Sequence, residues 1–199
     1  MAYNEMERQA RRRRRRRNRT ISLLLVITAC IGLAWFFESQ ATTTLLFVRH
    51  AEKAETPAEN PGLSTAGIQR ALELERVLAD LDVVAGVDAI YVSQYRRTVD
   101  TARPAARAAG LDPRPFDVSN VEQAVVDIVE RHKGKIVLIV GHSNTIAPMI
   151  AELGGSKKVP EIGEDEYDNI YIVTIPWFGK VKTLRLKYGA PYLPATDTG

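Results

Sequence analysis

Lys135-Ile136-Val137-Leu138-Ile139-Val140-Gly141-His142-Ser143-Asn144 is the stretch that decides the fold. Its Lys135–Val140 part is, after the lysine, an apolar run rich in β-branched residues, too short for a helix and bounded by Gly134 and Gly141, the pattern of a strand buried on both faces. Such strands need helices above and below them, and the flanks supply these. Val121–His132 reads as an amphipathic helix ended by Gly134. Thr145–Leu153 reads as a short helix stopped by Gly154-Gly155, with Ser143 and Asn144 able to cap it. Further upstream, Thr43–Val48 is a second buried-strand run. Ser64 can cap a helix reaching about Asp80 on Ile68, Ala71, Leu72, Leu74, Val77 and Leu78. Ala89–Val92 is a short strand. A helix from about Arg97 to Ala109 is closed by Gly110, and Pro104 predicts a kink or an irregular first half. Ile170–Ile175 and Val181–Leu186 form a final strand pair turning around Gly179, and residues 189–199 read as a loose tail. Strands alternating with helices define an α/β fold. The expected form is a three-layer α/β/α sandwich with a mostly parallel mixed sheet over residues 43–188.

The N-terminal segment is of another kind. The formal net charge of +3 hides a basic tail: residues 1–19 hold nine arginines against Glu5 and Glu7, so the remainder is mildly acidic. The high isoelectric point therefore argues for no nucleic-acid partner. Residues 20–37 carry no charge. At about 1.5 Å per residue they make a helix of roughly 27 Å, near the roughly 30 Å hydrocarbon core of a bilayer. Trp35, Phe36 and Phe37 stand at its far end, where an aromatic belt lies. The arginines before it predict a cytoplasmic tail, a transmembrane anchor at 20–37, a linker at 38–42 and an extracytoplasmic domain. The alternative is a cleaved signal peptide, since Ser39-Gln40-Ala41 has a small-x-small pattern. Cys30 is the single cysteine, so no disulfide or cysteine-based zinc site forms within the chain.

Ligands in such sheets sit beyond the carboxyl ends of strands. Two of these ends carry histidine: Arg49-His50 after the first strand, and Gly141-His142 after Lys135–Val140. The strand at Ala89–Val92 ends at Ser93 and is followed by Arg96-Arg97. Guanidinium and imidazole groups gathered over three strand ends suit an anionic ligand, and phosphate matches the guanidinium fork. A second pair, Arg131-His132, falls near a helix C-terminus, where the helix dipole explains it and where it is expected to face solvent.

Four segments in order resemble the histidine phosphatase superfamily, also called phosphoglycerate mutase-like. They are Arg49-His50, Leu63-Ser64-Thr65-Ala66-Gly67-Ile68-Gln69, the run from Ser93 through Arg97 to Thr101-Ala102, and Gly141-His142. The spacing within the third segment selects Arg97 over Arg96. The resemblance implies that His50 attacks phosphorus and becomes phosphohistidine. It also implies that Arg49, Arg97 and His142 hold the phosphoryl oxygens, and that no metal or other cofactor is required. A backbone carbonyl or similar acceptor is then needed to set the His50 tautomer.

The acid that protonates the leaving group is not settled by the residues. The best-known branch of the family places a glutamate at a spacing beyond the second arginine that Glu122 matches. Asp117, near a strand end, competes equally, and Glu52, two residues after His50, is third. Glu52, Asn144, Tyr167 and Asp168 are further candidate substrate contacts, the last two on a loop reaching the pocket rim. The leading expectation is a phosphomonoesterase acting outside the cytoplasm or at the membrane surface on a sugar phosphate, lipid-linked phosphate or phosphoprotein. The alternatives are a phosphoglycerate mutase, a protein-phosphohistidine phosphatase, and a retired phosphate-binding module.

Overall fold

The computed structural model describes residues 2–39, 42–81 and 86–191. Gln40 and Ala41 of the small-x-small site, and residues 192–199 of the tail, lie outside them. The chain divides into two compact units, residues 1–41 and 42–199.

The first unit is one helix, α1, Ala2–Ser39. Its stretch Arg11–Phe37 is long and apolar enough to cross a membrane, the one such helix among the described residues. From Ile21 to Phe37 the large apolar side chains are exposed. A helix apolar on all sides has no inward face to bury, so its composition suits lipid better than water.

The second unit is a six-stranded sheet with two helices on each face. In chain order its elements are β1 (Thr42–Arg49), α2 (Thr65–Leu81), β2 (Ala89–Val92), α3 (Arg96–Ala109), β3 (Arg114–Pro115), α4 (Val121–Arg131), β4 (Ile136–Gly141), α5 (Ser143–Glu152), β5 (Asn169–Pro176) and β6 (Lys182–Lys187). The strand order is β3-β2-β4-β1-β5-β6. β1, β2, β3 and β4 are parallel, and β5 and β6 run antiparallel to them and to each other. The expected α/β sandwich with a mostly parallel mixed sheet is therefore the observed fold.

The period-2 geometry of a strand divides the core in two. Leu45, Phe47, Val137 and Ile139 point to one face and pack with Val125, Ile128, Ile146, Met149 and Ile150 of α4 and α5. Leu46, Val48, Leu138 and Val140 point to the other and pack with Leu74, Leu78, Ala102, Ala105 and Ala106 of α2 and α3. This two-sided burial is why β1 and β4 read as continuous apolar runs.

Several local expectations are corrected. The first half of α3 is regular helix from Arg96, and Pro104 lies within its span. Its small residues Ala102, Ala105 and Ala106 bind it to the sheet, and that packing outweighs the lost backbone donor. The strand β3 was not legible, because two residues at a sheet edge carry no periodicity. His132 is not simply solvent-facing: its Nε2 lies 3.0 Å from the Tyr91 hydroxyl. The cap of α5 is His142 itself, whose backbone N–H donates to Thr145 Oγ1 at 2.9 Å, rather than Ser143 or Asn144.

One contact ties the helix layer to the strand ends. The Ser64 amide donates to the Glu52 carbonyl at 2.9 Å, and Ser64 Oγ accepts from the Gly67 amide at 3.1 Å. A Cβ on Gly67 would lie 2.2 Å from the same Glu52 carbonyl oxygen. Gly67 therefore lets α2 press against the backbone that follows His50. Gly67→Ala is expected to destabilise the domain by about 1–3 kcal/mol, the cost of forced overpacking. Urea unfolding followed by circular dichroism checks this, and unaltered stability would show that the backbone yields.

Candidate active site

The cavity at the carboxyl ends of β1, β2 and β4 has a volume of about 520 Å³ and is lined by Arg49, His50, Tyr95, Arg97, His142 and Asn144, among others. The two histidine rings stand 5.3 Å apart, edge to face. Both are buried, as is Arg49, while Arg97 is half-buried. The helices α3 and α5 start at this cavity, at Arg96 and Ser143. Their N-terminal partial positive charges add to the guanidinium charge.

Each side chain is held by a traceable contact. His50 Nδ1 lies 2.8 Å from the Ala51 carbonyl oxygen. A carbonyl only accepts, so Nδ1 carries the proton and Nε2 keeps its lone pair. The Ala51 amide donates to Thr101 Oγ1 at 2.9 Å, and that hydroxyl donates to the Arg97 carbonyl at 2.7 Å. Thr101 thus couples the backbone beside His50 to the helix turn bearing Arg97. Arg49 NH1 donates to the carbonyls of Gly163 and Glu166. The Tyr167 ring lies 4.3 Å from its guanidinium carbon. Arg97 lies 4.5 Å from the Tyr95 ring centre, and its NH2 is 3.4 Å from His142 Nδ1. His142 Nε2 is 2.9 Å from Ser93 Oγ, which in turn meets Thr98 Oγ1 at 2.9 Å.

The electrostatics are those of an anion site. Arg49 Nε and Arg97 Nε are buried and make no hydrogen bond. Burial pulls both guanidinium groups below their ordinary pKa. Desolvation first, then His142, Arg49 and Arg97, lowers His50 to about 3. Desolvation, then Arg97 and Arg49, lowers His142 to about 4. Both rings are neutral at pH 7. A cationic pocket that keeps its imidazoles uncharged has donors left over for an anion and a nitrogen lone pair to attack it.

Of the residues singled out in the sequence, the structure gathers Arg49, His50, Arg97, His142 and Asn144 around one cavity. Tyr167 also comes close, its ring 5.9 Å from that of His50. The remaining candidates lie elsewhere. Glu52 Oε1 accepts from Arg70 Nε at 2.8 Å and faces a different pocket, with Arg70 and Tyr188. Asp117 is exposed and lines a pocket with Tyr91 and Ile128. Its carboxylate accepts from the Ser119 hydroxyl and amide, which hold its pKa below the ordinary value and make it a poor acid. Glu122 is exposed in the first turn of α4 and does not line the cavity. Asp168 is buried and accepts from Lys187 Nζ at 2.7 Å. Arg96 is at the surface, paired with Asp100.

Sequence reading missed three groups. Glu59 and Lys53 line the cavity from the loop after His50. That loop closes on itself where the Ala54 amide donates to the Gly62 carbonyl at 2.9 Å. It is pinned to α3 where the Arg96 amide donates to Asn60 Oδ1 at 2.9 Å. Tyr95 was overlooked as well. The available signal was proximity: a loop leaving and rejoining the neighbourhood of His50 must pass over the pocket.

The family comparison follows from this geometry. Residues 45–117, which carry Arg49, His50, Gly67, Ser93 and Arg97, match the family model described as histidine phosphatase superfamily, branch 1. Over this span the chain is similar to the histidine phosphatase superfamily. No curated protein sequence matches the chain. Solved structures share the fold. The protein histidine phosphatase SixA, complexed with tungstate, is 18% identical, with 72% of this chain and 96% of that one covered and a TM-score of 0.58. Mycobacterial glucosyl-3-phosphoglycerate phosphatase is 16% identical, with coverage of 75% and 100% and a TM-score of 0.55. Phosphoglycerate mutase from Plasmodium falciparum is 16% identical, with coverage of 78% and 98% and a TM-score of 0.54. The solved structures that share this fold include two named as phosphatases and one named as a mutase.

The depressed imidazoles have a measurable consequence. A histidine whose folded pKa lies below its unfolded value of 6.5 contributes stability that is full above pH 6.5 and is lost as pH falls toward the folded value. In histidine ring NMR, the His50 and His142 signals are expected to stay flat from pH 8 to about 5, with His50→Asn supplying the assignment. A midpoint near 6.5 for either ring would contradict the burial argument.

Proposed function

We propose that this protein is a phosphomonoesterase that passes the phosphoryl group through His50, without a metal ion. The observation that carries the reading is one cavity lined by Arg49, Arg97 and His142 beside a histidine whose Nε2 lone pair is available. In this mechanism a phosphate ester enters with its oxygens on Arg49 and Arg97, and its negative charge offsets the burial that keeps His142 neutral, so that His142 takes up a proton at Nδ1 and donates to it. His50 Nε2 attacks phosphorus in line, the P–O bond to the leaving alcohol breaks, and phosphohistidine forms. The arginines stabilise charge on the equatorial oxygens as the phosphoryl group transfers. Water then attacks phosphohistidine, releasing phosphate and free His50. The domain works outside the cytoplasm or at the membrane surface, held by residues 20–37, with residues 1–19 as the cytoplasmic tail.

Glu59 is the proposed acid for the leaving oxygen, being the carboxylate among the residues that line the cavity. The placement of Glu52, Asp117 and Glu122 outside the cavity lining also favours a second reading, a phosphohistidine or other P–N substrate. A nitrogen leaving group is labile enough to need less help. SixA, by its name a protein histidine phosphatase, has the same fold.

Hydrolysis of p-nitrophenyl phosphate by the full chain in EDTA, beside His50→Ala, tests the central claim. Wild-type turnover is expected to survive EDTA and to fall in the variant by on the order of 10³-fold or more, as for loss of a nucleophile. Equal activity in the variant would remove His50 as nucleophile, and phosphate binding without turnover would identify a retired site. Glu59→Gln separates the two substrate readings. It is expected to cost about 10²-fold on an alkyl phosphate, as loss of a general acid does, and little on the aryl ester with its better leaving group. Unchanged alkyl phosphate turnover would favour the P–N substrate.

A further inference from the structure

Arg49 takes its position from a turn that lies 114 residues further along the chain. Its NH1 nitrogen donates to two carbonyls of that turn, those of Gly163 and Glu166. A terminal guanidinium nitrogen carries two hydrogens, enough for one bond to each carbonyl, so the turn engages NH1 fully and leaves NH2 for an anion. The next residue, Tyr167, lays its ring 4.3 Å from the same guanidinium carbon. A cation over an aromatic face is held by the ring quadrupole. Three groups of one short loop thus converge on a single side chain of the cavity.

The shape of this loop depends on the Glu166 carboxylate. The Glu166 amide donates to the Gly163 carbonyl at 3.1 Å, which closes residues 163–166 into a turn. The side chain closes it a second time, because Oε2 accepts from the Gly163 amide at 3.3 Å. The other oxygen, Oε1, accepts from Asn169 Nδ2 at 2.8 Å and from Lys187 Nζ at 2.7 Å. Asn169 opens β5 and Lys187 ends β6, so one carboxylate fastens the turn to two strands of the sheet.

Both carboxylate oxygens are engaged in this way, and it is the backbone carbonyl of Glu166 that meets Arg49. The separation has a chemical use. A carboxylate bonded to Arg49 would compete with a phosphate oxygen for the same donors. A neutral carbonyl holds the guanidinium and leaves its charge for the ligand.

We propose that Glu166 is a positioning residue for the phosphate site: by shaping the 163–166 turn it fixes the direction in which Arg49 meets a phosphate. The inference rests on the reading of the cavity as a phosphate site, and it adds a residue outside the cavity lining. Glu166 acts through Arg49, so its effect disappears when the guanidinium is removed.

Titration of the full chain with inorganic phosphate, followed by phosphorus NMR, reads the site whether or not it turns over. Glu166→Ala is expected to weaken phosphate binding about tenfold, the worth of one hydrogen bond to a charged group. Its kcat/KM on p-nitrophenyl phosphate is expected to fall about 10²-fold, as for an ångström-scale misplacement. In an Arg49→Gln background the same change is expected to cost less than about twofold in phosphate binding, because the turn then has no guanidinium to hold. Glu166→Gln keeps one oxygen acceptor for Asn169 and Lys187 and is expected to fall between the wild type and Glu166→Ala. It replaces the alanine variant in both backgrounds if circular dichroism shows that variant unfolded. An equal loss in both backgrounds would overturn the proposal, since Glu166 would then act on the fold and not through Arg49. Unchanged phosphate binding in the wild-type background would overturn it as well. No phosphate binding by the wild-type chain would remove the anion site and this role together. Phosphate binding without turnover would remove the phosphatase reading alone, and the comparison of the two backgrounds would still decide the role of Glu166.

Discussion

Two guanidinium groups turned toward one cavity with their Nε–H donors unbonded are the constraint around which the domain is built. Buried charge is costly unless something compensates it. Arg49 is partly compensated by the carbonyls of Gly163 and Glu166 and by the face of Tyr167, Arg97 by the face of Tyr95. None of these partners carries a formal negative charge, so the net positive potential of the pocket is kept. A carboxylate on either arginine would relieve the cost and fill the place of the ligand.

Around that pair, a shell of neutral contacts keeps the geometry. Thr101 bonds both the Ala51 amide and the Arg97 carbonyl, so one hydroxyl links the backbone after His50 to the turn bearing the second arginine. Ser93 and Thr98 hold His142 from behind. The loop that supplies carbonyls to Arg49 is itself secured by Lys187, which donates to Glu166 and Asp168 at 2.7 Å each. The acidic segment before β5 thus serves Arg49 indirectly: its backbone faces the arginine, while two of its carboxylates face a lysine on β6. On the opposite side of the loop after His50, Arg70 ties Glu52 to the Tyr188 carbonyl. Glu52, Glu166 and Asp168 are thus neutralised in pairs outside the cavity lining.

The same low-dielectric surroundings set the chemistry of the imidazoles. Burial and nearby positive charge act in one direction on both rings, toward the neutral form. The Ala51 carbonyl then fixes which nitrogen of His50 carries the proton. The pocket's field and one backbone acceptor together convert an ordinary histidine into a directed lone pair.

Much of this was written locally in the sequence. Continuous apolar runs at Thr43–Val48 and Lys135–Val140 specify doubly covered strands because side chains alternate faces every residue. In such a sheet, residues just past the strands must meet at one end, which is why Arg49, His50, Arg97 and His142 could be named together. The N-terminal apolar run and its arginines were equally plain, since length and charge are properties of a segment alone. The carboxylates were not legible. Whether Glu52, Asp117 or Glu122 faces the cavity depends on which partner claims each one, and Arg70 and Ser119 lie outside any local pattern. Glu59 was hidden for the same reason, because a loop's direction is set by Asn60 meeting the α3 amide across the fold. Periodicity and spacing determined the elements and the strand ends; only the tertiary structure decided which polar groups were already satisfied, because a hydrogen-bond partner is chosen by distance in space and not by separation along the chain.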